Sequence, residues 1–238
     1  MKTTSAWILI AGLSASVASA ADITGTVTLS GTPPAEIVIT PLKDDPTCGK
    51  LHTEVPMTKF FVVGPNKELA DVIVMLKGVT GKSTGASAQP AVINQKGCLY
   101  DPQILAIQTG QKLLVKNSDP TLHNIHINPA TDGNKGKNSE NQAQMANGPE
   151  LTYTFPAPEK FLKFQCDVHT WMFAWVTVVD SPYFAVTGKD GKFTIKNVPP
   201  GKYTVTALHR KAAPAGVDKE IEVKEGAPAT VDFTLEVK

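Results

Sequence analysis

Apolar and polar residues alternate with period two along most of this chain, in short runs punctuated by Gly, Pro, Asn and Asp. That is the pattern of half-buried strands. Ile23 to Leu29 alternates and stops at Ser30-Gly31-Thr32-Pro33-Pro34. Glu36 to Thr40 and Leu69 to Leu76 are further candidate strands. Ile104 to Ile107 and Lys112 to Lys116 flank a turn at Thr109-Gly110-Gln111, and Leu122 to Ile127 follows. Leu151 to Phe155, Phe161 to Cys166 and Ala174 to Val179 complete a first set. Asn128 to Glu150 is polar and has no period, so it is expected as a long surface loop. Strongly apolar helical repeats are missing, and the pattern predicts an all-β sandwich class.

At Asp180-Ser181-Pro182 the grammar changes. Gly188-Lys189-Asp190-Gly191-Lys192-Phe193-Thr194-Ile195 is followed by Val198-Pro199-Pro200-Gly201-Lys202-Tyr203-Thr204-Val205, with further strands at Lys219 to Val223 and Thr230 to Leu235. Tight turns at Asp190-Gly191 and Pro200-Gly201 join these short strands. The expected division is therefore residues 21–180 as one unit and residues 183–238 as a second that folds separately.

The first twenty residues form a third element. Met1 and Lys2 precede an apolar run from Ala6 to Val17, and Ala18-Ser19-Ala20 supplies a small-x-small pattern. Together they read as a secretory signal peptide cut after Ala20, since the run is too short to span a bilayer. Without Lys2, basic and acidic residues balance at 22 each. That balance argues against nucleic acid or an anionic membrane surface as partner, and no membrane insertion is expected once the leader is removed.

The sharpest chemistry lies in Cys166-Asp167-Val168-His169-Thr170-Trp171-Met172, with His123-Asn124 upstream. Two imidazoles, one thiolate and one thioether make a His2Cys plane with a weak axial Met, a copper set that suits both Cu(I) and Cu(II). One loop between two strands can carry Cys166, His169 and Met172. His123 must come from elsewhere, and period two places it with Ile125 and Ile127 on one face, leaving His126 on the other. His123 is thus the expected ligand and His126 a surface residue.

Two resemblances follow from these residues. The tail, with its G-x-F-x-I and V-P-P-G-x-Y-x-V pattern over roughly residues 183–238, resembles the transthyretin-like regulatory domain of carboxypeptidases. That implies a fold and a docking role, and no activity. Residues 98–180 resemble the plastocyanin and amicyanin family of cupredoxins. Asn117-x-Asp119 leading to His123-Asn124, then Cys166, His169 and Met172 with two-residue gaps, carry that resemblance. It implies a Greek-key sandwich, one copper per chain and one-electron transfer in the periplasm. It also implies that Asn124 braces the ligand loop, with a backbone N–H near it aimed at the Cys166 sulfur. Trp171 and Phe173 flank the loop, either as an apolar docking surface or as simple packing.

The chain has three cysteines. With Cys166 on copper, Cys48 and Cys98 remain as a pair, and a disulfide between them is expected; the alternative is Cys48-x3-His52 as part of a second metal site. The leading functional expectation is a non-enzymatic electron carrier between redox proteins such as a c-type cytochrome. The alternative is a copper-binding or storage module without a redox partner. Oxidases of such folds need further His-rich centres, and five histidines in all do not supply them.

Overall fold

A computed structural model describes residues 19–130 and 132–237; the leader, apart from its last two residues, lies outside the described residues. The chain is all-β and builds two sandwiches from four sheets. One sandwich joins the sheet β5 (Ile104–Gln108), β11 (Phe173–Val179), β10 (Glu159–Gln165), β7 (His123–Asn128) and β8 (Glu140–Gln144) to the sheet β4 (Tyr100–Asp101), β3 (Ala91–Gln95), β6 (Leu113–Asn117) and β9 (Leu151–Tyr153). The other joins β12 (Phe184–Val186), β2 (Ile73–Leu76), β14 (Gly201–His209) and β15 (Ala213–Val223) to a sheet centred on β1 (Ala21–Ser30). There β1 pairs with β13 (Lys192–Val198), β16 (Ala229–Thr230) and β17 (Phe233–Glu236).

The pairing of β1 and β2 corrects the expected division of the chain. Ile23 lies opposite Ile195 and Gly25 opposite Phe193 in antiparallel register, while Val27 runs beside Phe233 in parallel. Val205 and Ala207 of β14 pair with Leu76 and Val74 of β2. The N-terminal strands thus complete the C-terminal sandwich, and the metal-type sandwich is inserted between them. Val179 still marks the end of the inserted unit's last strand. Alternation reports which face a strand buries and is blind to which strand will cover it; hence the misassignment of β1 and β2, whereas Leu42 and Cys48 between them do pack in the insert's core.

Each sandwich has its own core. Ile23, Val27, Val74, Leu76, Phe193, Val205 and Phe233 fill the host. Ile93, Ile107, Val115, Ile125, Phe155, Phe164 and Val176 fill the insert, together with Cys166 and Met172. Ile73 and Leu208 of the host meet Ala106 and Phe161 of the insert in a smaller apolar seam.

Three local expectations are corrected. Glu36 to Thr40 makes only an isolated bridge from Val38 to Met57, with Ile37 largely exposed, because no strand lies beside it to extend the pairing. The strand expected from Leu69 begins at Ile73, since Asp71 takes a left-handed φ of 60° that breaks the ladder. The polar stretch after Asn128 holds a short helix α1 (Lys135–Asn138) and β8, which pairs with β7 along its length. As an outer strand with only Gln144 buried, β8 carries no apolar alternation to reveal it.

Candidate metal centre

β7 and the loop between β10 and β11 build the site. Pairing of Phe164 with Ile127 and of Gln165 with His126 leaves Cys166 just past the strand, beside Asn124. The loop then closes on itself: the Met172 N–H donates to the His169 carbonyl at 2.8 Å and the Cys166 N–H to the Met172 carbonyl at 3.2 Å. On β7 the period-two reading places His123, Ile125 and Ile127 inward, all buried, while His126 lies at the rim.

His123, Cys166 and His169 converge. Their Nδ1, Sγ and Nδ1 atoms are separated by 3.0 Å (His123 to His169), 3.7 Å (Cys166 to His169) and 4.0 Å (Cys166 to His123). The three can coordinate a metal ion. Met172 is fully buried in the same core as Cys166. The donors fit the expected copper set, because imidazole, thiolate and thioether together satisfy a soft metal in two oxidation states. The positions of both ring nitrogens of His123 support this fit. Its Nε2 lies 3.0 Å from the Asp119 carboxylate, which favours the proton there and leaves the Nδ1 lone pair facing Cys166 and His169.

The electrostatics favour a thiolate. Burial pushes the Cys166 thiol up, but the His123 hydrogen bond and the backbone N–H groups of Asn124, His169 and Val168 outweigh burial, and the net shift is downward. The Asn124 N–H reaches the sulfur at 3.5 Å and the His169 N–H at 3.4 Å. Burial disfavours charge on His123, yet Asp119 and Cys166 raise it overall. His169 moves the other way, lowered by burial and by the neighbouring His123.

Asn124 ties β7 to the ligand loop. Its side-chain amide oxygen accepts from the Asp167 N–H at 2.6 Å, and its NH2 donates to the Asp167 and Asn141 side chains, each at 3.0 Å. Asp167 is held down to about 2, first by its bond to His126.

Family comparison agrees with this geometry. Residues 89–179 match the model for copper binding proteins of the plastocyanin/azurin family, and residues 172–236 match that for the carboxypeptidase regulatory-like domain. The chain carries a cupredoxin-like domain and a carboxypeptidase regulatory-like, transthyretin-like domain. Among solved structures, a Cu(I) form of an amicyanin variant is 14% identical, covering 44% of this chain and 97% of its own, with a TM-score of 0.32. A purple cupredoxin from Nitrosopumilus maritimus is 25% identical, covering 37% of this chain and 98% of its own, with a TM-score of 0.29. A copper-containing nitrite reductase from Thermus scotoductus is 18% identical over 43% of this chain and has a TM-score of 0.32; the chain spans only 25% of that protein's length. No curated protein matches the chain.

In the cupredoxin-like domain, Trp171 and Phe173 part company. The Trp171 ring lies 5.1 Å from His169, and its indole N–H donates to the Cys98 carbonyl at 3.1 Å. Phe173 turns from the site and stacks on Phe60, under the Arg210 guanidinium that also covers Trp175 at 4.8 Å. It packs between the two sandwiches.

Cys48 and Cys98 form a disulfide, and His52 bonds the Gly97 carbonyl at 2.7 Å. Sequence reasoning did not foresee Asp119 as the partner of His123. The spacing of four residues was visible, but the turn that folds Asp119 back depends on Asn117, whose amide oxygen accepts from the Asp119 N–H at 3.0 Å.

Proposed function

We propose that this chain is an exported carrier of single electrons that holds one copper ion between His123, Cys166, His169 and Met172. The convergence of two imidazole nitrogens and a depressed thiol in one buried pocket carries this reading. Copper bound there supplies a one-electron change between Cu(I) and Cu(II). The protein's own part is to hold the donors still. Asp119 fixes the His123 tautomer, Asn124 pins the loop at Asp167, and two N–H groups neutralise part of the sulfur's charge. These bonds fix the donors in one arrangement, so little would have to rearrange when charge arrives or leaves.

The expected partners are redox proteins such as a c-type cytochrome, and no catalysis is assigned. His52 and His209 are committed to backbone partners elsewhere. Export to a periplasmic compartment rests on the leader pattern and on the disulfide, a bond at home in oxidising surroundings. No helix among the described residues is long and apolar enough to cross a membrane.

A second reading, copper storage without a redox partner, draws on His169, which is only 6% exposed. The visible spectrum and voltammogram of the copper-loaded protein separate the cases. An intense thiolate-to-copper band with a reversible one-electron wave, and reduction by a cytochrome, supports the carrier. A tight copper complex that exchanges no electrons supports storage. Isolation with zinc alone from copper-supplied cells overturns the copper assignment.

A further inference from the structure

Both ligand histidines touch the same piece of chain, the loop around Cys98. The disulfide sulfurs lie within 4.8 Å of a His169 nitrogen, and the Cys98 sulfur, an Asp119 oxygen and a His123 nitrogen form another cluster of the same span. Gly97 and Cys98 have consecutive left-handed φ angles of 66° and 53°. Their N–H groups therefore point the same way, forming a small anion-binding nest. Both donate to the Asp119 carboxylate, at 2.6 and 2.7 Å, and that carboxylate in turn holds His123. Cys98 is not glycine, so this conformation costs energy that the surroundings must offset.

The segment facing this loop is thinly anchored. Across residues 40–51, which contain a five-residue helical turn (Thr40–Asp44) and a 3-10 turn (Gly49–Leu51), both without a side-chain cap, only Leu42 and Cys48 are buried. Leu51 is 40% exposed. The segment nevertheless reaches His169, since the Cys48 sulfur lies within 4.8 Å of a His169 nitrogen. One leucine and one disulfide hold it down, with His52 bonded to Gly97 at its end.

We propose that the Cys48–Cys98 disulfide is the fastener of an outer wall that positions both ligand histidines and locks the metal site against exchange. The inference rests on the copper reading for its metal, while the wall itself can be tested without one. Opening follows the chemistry of thiol exchange. A dithiol reductant gives two electrons and two protons, the S–S bond breaks to two thiols, and the dithiol closes to its own disulfide. Both cysteines are fully buried, so the closed state is the resting one and opening requires residues 40–51 to lift first.

The test compares wild type, the Cys48→Ser/Cys98→Ser double variant and Val178→Ala, each loaded with Cu(I) under ascorbate. Val178 is buried in the same core away from the wall, and its truncation costs stability without touching the fastener. Release of Cu(I) to bathocuproine disulfonate should be at least tenfold faster in the double variant and within twofold of wild type in Val178→Ala. Metal-free wild type, reduced with a phosphine and freed of it before Cu(I) loading, should behave like the double variant, and the same protein reoxidised before loading should return to slow release. Release at the wild-type rate with the disulfide open, or equal acceleration by Val178→Ala, overturns the proposal. In metal-free protein, iodoacetamide should modify Cys166, mapped by its peptide, only when the disulfide is open. Equal protection in both states overturns the wall. Reactivity gained on opening, in a protein that takes up no copper, leaves the wall standing and removes the copper reading instead.

Discussion

At the centre of the host sandwich, around Ile23, Val74, Phe193 and Phe233, the core is apolar, and His209, Thr187 and Thr206 are among its few buried polar side chains. The inserted sandwich buries Gln95, Asn117, Asp119, His123, Asn124, Gln144 and His169. Buried polar groups cost several kcal/mol each unless they are paired, and here most of their polar atoms are paired within the insert, the Gln95 amide oxygen being an exception. Gln95 donates to Gln144, Asn117 to the Gln144 carbonyl, and Asp119 meets His123. The histidines show the contrast most directly. His209 in the host is driven down to about 4 by burial and by Arg210, and its Nδ1 accepts from the Lys211 and Ala212 N–H groups. His123 in the insert is raised by Asp119. One core excludes charge, and the other arranges it around a focus of donor atoms.

Removing half of the host gives the largest expected effect. A chain ending at Asp180 loses every strand that covers β1 and β2, leaving Ile23, Val27, Leu29, Val74 and Leu76 without partners. The alternation alone suggested that such a chain keeps its copper domain intact. With the register known, aggregation, dye binding to exposed apolar surface and a lost thermal transition are expected. A monomeric truncated protein with an unchanged melting curve would show that the insert needs no host.

Cys166→Ser comes next. It should abolish the intense visible band outright, because a hydroxyl is a hard donor that gives no such transition, while some copper remains on nitrogen and oxygen. Met172→Leu should keep the colour and shift the potential. Spectra and voltammetry of the two variants rank the equatorial sulfur against the axial one. Asp119→Asn follows, with metal affinity falling about 10- to 100-fold, since the amide cannot accept from Gly97, Cys98 and His123 together. A competition titration reads it.

These outcomes also mark how far the chain could be read unaided. Cys166, His169 and Met172 share one loop, so their spacing exposes them, and His123 follows from the alternation of β7. The Asp119–His123 bond, and the closeness of the expected disulfide to His169, were hidden because tertiary contacts, not periodicity, bring them to the site. β8 was hidden because a polar outer strand has no apolar face to signal it.

The host responds to acid through His209. Its folded pKa lies below the ordinary value near 6.5 for an unfolded chain, so the unfolded state binds the proton more readily. Stability from this group is complete above that ordinary value and is lost as pH falls toward about 4. Between pH 7 and pH 5 the loss is about 2 kcal/mol, measurable by urea melts and absent in His209→Gln. The smallest effect belongs to His126→Ala. Its pair with Asp167 is half exposed and screened by solvent, worth no more than roughly 1 kcal/mol. The band should survive nearly unchanged. If His126→Ala bleaches the site and His123→Ala does not, the faces of β7 are assigned the wrong way round.

The parallel pairing of β1 with β17 has a consequence in time. Thr28 meets Thr234 across 206 residues of sequence, so β1 is made long before the strand that pairs with it. The insert is complete once residue 179 has emerged, well before the host can close. Synthesis runs from the N-terminus, so for most of it β1 is an open edge, a template for wrong pairing with other chains. Thr24, Thr26 and Thr28 make the face opposite Ile23, Val27 and Leu29 polar, which leaves only one face of β1 apolar. The order of events is therefore built into the topology: donors first, enclosure last.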